Sequence, residues 1–135
     1  MDQQLKSTVI LEKDQENLEK LTSFFTHILE DDPDNHDALH GLGVLCIKES
    51  NYPQAAAHLL SLLNKLSADN PDISHVRRMV VVSTFRAAVN DDPRYFAEMI
   101  PHAEAYLVAM PGDAEIYECL CDAHLKLGNM AKVRH

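Results

Sequence analysis

Apolar residues recur along most of this chain at a helical period, in blocks separated by short polar breaks. Leu18, Leu21, Phe24, Phe25, Ile28 and Leu29 form the first strong stripe, which stops before Asp31-Asp32-Pro33. Ahead of it, residues 2–31 hold no Gly or Pro, but Ser7-Thr-Val-Ile-Leu brings β-branched residues that weaken a helical reading. That lead-in is either a degenerate helix or loosely ordered, and a short helix is expected. In the next block Leu39, Leu42, Gly43, Cys46 and Ile47 fall at i, i+3, i+4, i+7 and i+8, one face of a helix. Ala55, Leu59, Leu62 and Leu66 make a second stripe after a break at Asn51, an expected N-cap, with Pro53 in the first turn. Residues 33–66 therefore read as a helix hairpin.

The later blocks follow the same plan. Ser67 to Pro71 is a loop, with Asn70 as the expected cap and Pro71 at the first helical position, and Ile73 to Val89 reads as helix. Val80-Val81-Val82 has strand propensity, but a lone strand among helices would leave its backbone groups unpaired. Residues 94–109 are helical, with Pro101 expected to kink or split the helix near Ile100. Ala114 to Leu127 is helical again, Gly128-Asn129 is its expected turn, and Met130 to His135 is the start of a second helix.

The hairpin also recurs. Placing Pro111 under Pro33, an offset of 78 residues, matches Leu120 to Leu42, Leu125 to Ile47 and Asn129 to Asn51. Two units of about 34 residues plus a short insertion give that spacing. On Leu42-Gly43, Ala55, Tyr117, Leu120, Gly128 and the Pro-x-Asp linkers, the chain resembles the tetratricopeptide repeat (TPR) family. Leu39 stands where that family has its first-helix Trp, and Cys46 where it has a later Tyr.

The resemblance implies an all-α, right-handed superhelix of antiparallel hairpins in a single domain over residues 1–135. Its units would be a degenerate first repeat at 2–35, the best repeat at 36–70, an extended repeat at 71–113 and a truncated one at 114–135. It also implies non-catalytic binding of a protein or peptide in a concave groove lined by first helices. The corresponding positions are Asp37, His40 and Val44; His75, Arg78 and Val82; and Glu115, Glu118 and Asp122. The last three also share a stripe by spacing alone and make an acidic end. TPR domains that clamp a carboxyl terminus use basic residues and Asn, whereas Val44 and Asp122 stand where such an Asn is expected. The expected partner segment is therefore basic at one end and apolar in the middle.

Composition narrows the classes. The formal charge of −9 disfavours a nucleic-acid role. A run such as Met79 to Thr84 is far too short to cross a bilayer, and the amino terminus has no signal-peptide pattern, so a cytoplasmic chain without membrane insertion is expected. Cys46, Cys119 and Cys121 have no framework spacing; Cys119 and Cys121 lie about 200° apart on a helix, and buried reduced thiols are expected at Cys46 and Cys121. His36 and His40 at i, i+4 superficially resemble the zinc-protease pattern, but Asp37 replaces the Glu, no third ligand is evident, and surface histidines are expected. His124 near Cys121 reads as packed core. With no phosphate loop, nucleophile elbow or paired carboxylates, no enzyme, cofactor or metal is expected. Two other functions stay open: an N-terminal accessory domain of a larger enzyme, such as a bacterial glycosyl- or methyltransferase, and self-assembly through an uncapped C-terminal hairpin.

Overall fold

The computed structural model describes the backbone of residues 2–133 and the side chains of residues 14–128. Six helices follow in order: α1 (Asp2–Asp31), α2 (His36–Lys48), α3 (Tyr52–Lys65), α4 (Ile73–Asn90), α5 (Tyr95–Ala109) and α6 (Ala114–Val133), with no strand among the described residues. Each helix packs against the next, and α6 also reaches back to α4.

Two starts repeat the same chemistry. Asn35 Oδ1 accepts the Ala38 N–H at 2.9 Å ahead of α2, and Asp113 Oδ1 accepts the Ile116 N–H at 3.4 Å ahead of α6. Each side chain satisfies one of the orphan donors of a first helical turn. Asn35 and Asp113 are the residues that the 78-residue offset superimposes.

The break between α2 and α3 works differently from the expected cap. Asn51 makes no side-chain capping bond; its N–H instead donates to the Cys46 carbonyl at 2.8 Å, while Ser50, at φ 60°, donates to Ile47 at 3.0 Å. This pair of bonds is a Schellman closure of α2, with Ser50 in the left-handed position usually held by Gly. Pro53 lies in the first turn of α3 as expected. Asn70 does not cap α4 either. Its Oδ1 accepts from the Asp72 N–H at 2.8 Å, a turn that leaves Pro71 outside the helix.

Three helices are longer or less interrupted than the sequence pattern suggests. α1 is one element through the β-branched lead-in, because such residues each cost only tenths of a kcal/mol and no Gly or Pro breaks the run. The region 2–35 thus holds one helix, Asp2–Asp31, followed by a turn, and not a hairpin. α5 is not split at Pro101. Pro101 and Ala97 are both exposed, so the carbonyl that loses its donor faces water. α6 continues through Gly128-Asn129, where no positive-φ Gly marks a turn. The region 114–135 is therefore one helix as far as Val133, and no truncated second helix begins at Met130.

Two cores meet at α4. Leu39, Leu59, Leu62 and Leu63 pack with Val76 and Val80, and Phe96, Met99, Tyr106 and Ile116 pack with Val81 and Ala88. The valine triplet is helical, and it feeds both cores. Gly43 permits a close approach in the core: a Cβ there would sit 2.6 Å from Cγ and Cδ2 of the fully buried Leu59. Cys46 is half-buried, but Cys119, not Cys121, is the buried thiol of α6, and His124 and Leu125 face outwards. The α6 face that contacts α4 and α5 carries Ile116, Cys119 and Ala123, which rotates the neighbouring stripe of Tyr117, Cys121 and Leu125 into solvent.

Candidate functional site

Seven of the nine positions that the sequence singles out line two clefts beside α4. The first, of about 460 Å³, lies between the amino-terminal halves of α2 and α4 and is lined by Asp37, His40 and His75 together with His36 and Asp72. Leu62, Leu66 and Val76 supply its apolar side. The His40 and His75 rings stand 6.2 Å apart between centroids, tilted by 39°. His36 and His40, one turn apart, both line this cleft, and Asp37 sits in the first turn of α2, where a carboxylate suits the helix dipole. Among the described residues no three His, Cys, Asp or Glu side chains are arranged to hold a metal ion.

The second cleft, of about 250 Å³, lies between the carboxy-terminal half of α4 and the first turns of α6. Val82 faces Glu115, Glu118 and Asp122 across it. The sequence reading misses the rest of this wall: Phe85, Arg86 and Val89 on α4 and Cys119 on α6. The signal was available, since Phe85, Arg86 and Val89 follow Val82 at i+3, i+4 and i+7. Val89 is 58% exposed although apolar. Burial, then the nearby Glu115 and Asp122 charges, push the Cys119 thiol pKa up, which disfavours the thiolate.

Arg78, the eighth position, is engaged within the chain. Its Nε donates to Asp113 Oδ2 at 2.8 Å and its Nη2 to Glu115 Oε2 at 2.8 Å. Tyr106 Oη donates to the same Asp113 oxygen at 2.6 Å, so α4, α5 and the start of α6 share one network. The Arg78 and Tyr106 hydrogen bonds hold the Asp113 carboxyl down at about 2, and the carboxylates in turn raise the Arg78 guanidinium. Arg78 therefore fixes α6 against α4, and Glu115 presents a charge already neutralised. The ninth position, Val44, is half-buried and lines neither cleft.

The acidic end thus rests on Glu118 and Asp122, both exposed, with Arg86 on the facing wall. Compared with known proteins, the chain matches no protein-family model, no curated protein and no solved structure. None of the described helices is long and apolar enough to cross a membrane.

Proposed function

We propose that this chain is a TPR-like, non-catalytic recognition module that holds an extended partner segment along the face shared by α2, α4 and α6. The observation that carries this reading is the placement of Asp37, His40 and His75 around one cleft and Val82, Glu118 and Asp122 around another, with α4 common to both. Consecutive hairpins, α2 with α3 and α4 with α5, leave the first helix of each pair to build such a face, as in a right-handed superhelix of repeats. Preformed clefts reduce the ordering cost of binding on the module's side, and the partner adds burial and charge pairing.

Charge sets the partner's chemistry. Glu118 and Asp122 favour a basic residue, and the exposed Val89 beside the half-buried Phe85 and Val82 favours an apolar one next to it. A terminal carboxylate would meet Glu118 and Asp122 there, and Arg78 is committed to Asp113 and Glu115.

The test uses immobilised peptide arrays that vary basic and apolar content, followed by titration of the best binder against wild type and a Glu118→Lys, Asp122→Lys double variant. Charge reversal should weaken binding at least tenfold, and the wild-type affinity should fall with added salt. Equal affinity for both proteins would remove the α4–α6 cleft as the recognition surface.

A further inference from the structure

The two clefts are not interchangeable, and α4 fixes the distance between them. His75 belongs to the first cleft and Val82, Arg86 and Val89 to the second, at i, i+7, i+11 and i+14, which places both openings along one stripe of the same rigid helix. From His75 to Arg86 the helix rises about 16 Å. An extended chain covers that distance in about five residues.

Their linings differ in chemistry as well. The larger cleft, about 460 Å³, has an apolar side at Leu62 and Leu66, the imidazoles of His36, His40 and His75, and two exposed carboxylates, Asp37 and Asp72, the latter making no capping bond. The smaller, about 250 Å³, has Val82, Phe85, Arg86 and Val89 on one wall and Glu115, Glu118 and Asp122 on the other, so that with Glu115 paired to Arg78 two carboxylates face one guanidinium. An apolar side with carboxylates at the rim suits a lysine or arginine, whose methylene stem lies on the leucines while its charge reaches the acids. A smaller cleft with an exposed valine suits one leucine- or methionine-sized side chain, followed by a basic residue.

Resting on the recognition reading above, we infer that the partner segment is read at two anchors about five residues apart: a lysine or arginine in the α2–α4 cleft and an apolar residue followed by a basic one in the α4–α6 cleft. The intervening residues cross the Arg78–Glu115 pair without contributing to selectivity.

A spacing series tests this. Labelled peptides carrying one Arg and one Leu-Lys pair, separated by one to nine Gly/Ser residues and made in both chain directions, are titrated by fluorescence anisotropy. The His40 and His75 imidazole protons are followed by NMR in the same samples. The expected result is tightest binding at about three to six intervening residues in one direction, at least tenfold tighter than the shortest and longest peptides, with both imidazoles shifting. The Asp37→Asn, Asp72→Asn double variant should then bind the best peptide no more tightly than a peptide lacking the Arg. Binding that is insensitive to spacing and leaves the imidazoles unmoved, yet is lost in the Glu118→Lys, Asp122→Lys variant, would overturn the two-anchor inference and keep the recognition reading. Failure of every peptide to bind would overturn both.

Discussion

Two glycines and one serine show how narrowly single positions are set in this chain. Gly43 and Gly41 sit two residues apart on α2, and a Cβ at either would meet a side chain at 2.6 Å. At Gly43 the obstacle is the branch point of Leu59, fully buried between α2, α3 and α4. At Gly41 it is the ring edge of Phe25, which is only half-buried and free to turn. Alanine gains about 1 kcal/mol of helix propensity at both positions, while overpacking a fixed core costs about 1–3 kcal/mol. Gly43→Ala should therefore lower the unfolding free energy by about 1 kcal/mol and Gly41→Ala, where moving the Phe25 ring offsets part of the gain, leave it at or slightly above wild type, in paired urea titrations. Equal effects would show that Leu59 is not the fixed neighbour described above. On α4, Thr84 satisfies its hydroxyl on the Val80 carbonyl at 2.6 Å, but the adjacent Ser83, fully buried, has an Oγ with no partner among the described residues. Removing that oxygen relieves a desolvation cost, so Ser83→Ala should raise stability by about 1 kcal/mol, read by thermal or chemical unfolding. A loss of stability would mean that Ser83 has a partner after all.

At the scale of whole elements, α6 provides the decisive contrast between a turn and a continuous helix. Gly128 lies inside α6 with open space around it, and an added methyl would meet nothing within 4 Å. Gly128→Ala should therefore stabilise the chain by about 1 kcal/mol and raise its helical circular dichroism. If Gly128-Asn129 were a turn, the same change would remove a residue suited to it and stability would fall. The other elements show what pattern alone conveys. The amphipathic stripes at Leu39–Ile47 and Ala55–Leu66 mark α2 and α3 because the apolar positions there are also the buried ones. The caps were less legible: Asn51 and Asn70 have the right side chains in the right places, yet a Schellman closure and a local turn use them otherwise. Pro101 carries a strong local signal for a break that exposure to water makes cheap to ignore. Of the candidate site, the residues on first-helix stripes could be found by period, while the role of Arg78 could not. Its partners lie 35 and 37 positions away, beyond the reach of any helical spacing.

For the molecule as a whole, the question is how a row of helices that pack mainly on their neighbours keeps α6 in place. Ile116, Cys119 and Ala123 bury one side of it, and the polar tie is the network in which Asp113 accepts from Arg78, Tyr106 and the Ile116 amide. Because the Asp113 pKa is about 2 in the folded chain, below its ordinary value of 3.8, this carboxylate stabilises the fold fully above about pH 4. The contribution is lost as the pH falls from about 4 to about 2, through the folded pKa. Asp113→Asn keeps the shape and an acceptor but removes the charge, so at pH 7 it should cost about 1–2 kcal/mol, a range discounted for the partial exposure of the pair. Asp92, held down by its hydrogen bonds to Arg94, titrates alike in both proteins and cancels in the comparison. Urea titrations of wild type and variant at pH 7, 5, 4 and 2.5 should therefore show a gap that is constant down to about pH 4 and then narrows towards zero. A gap as large at pH 2.5 as at pH 7 would mean the charge on Asp113 is not what binds α6 to α4. A variant that also loses peptide binding at pH 7, without global unfolding, would tie the geometry of the α4–α6 cleft to this one carboxylate, since the Arg78 bonds to Asp113 and Glu115 hold the start of the helix that carries Glu118 and Asp122.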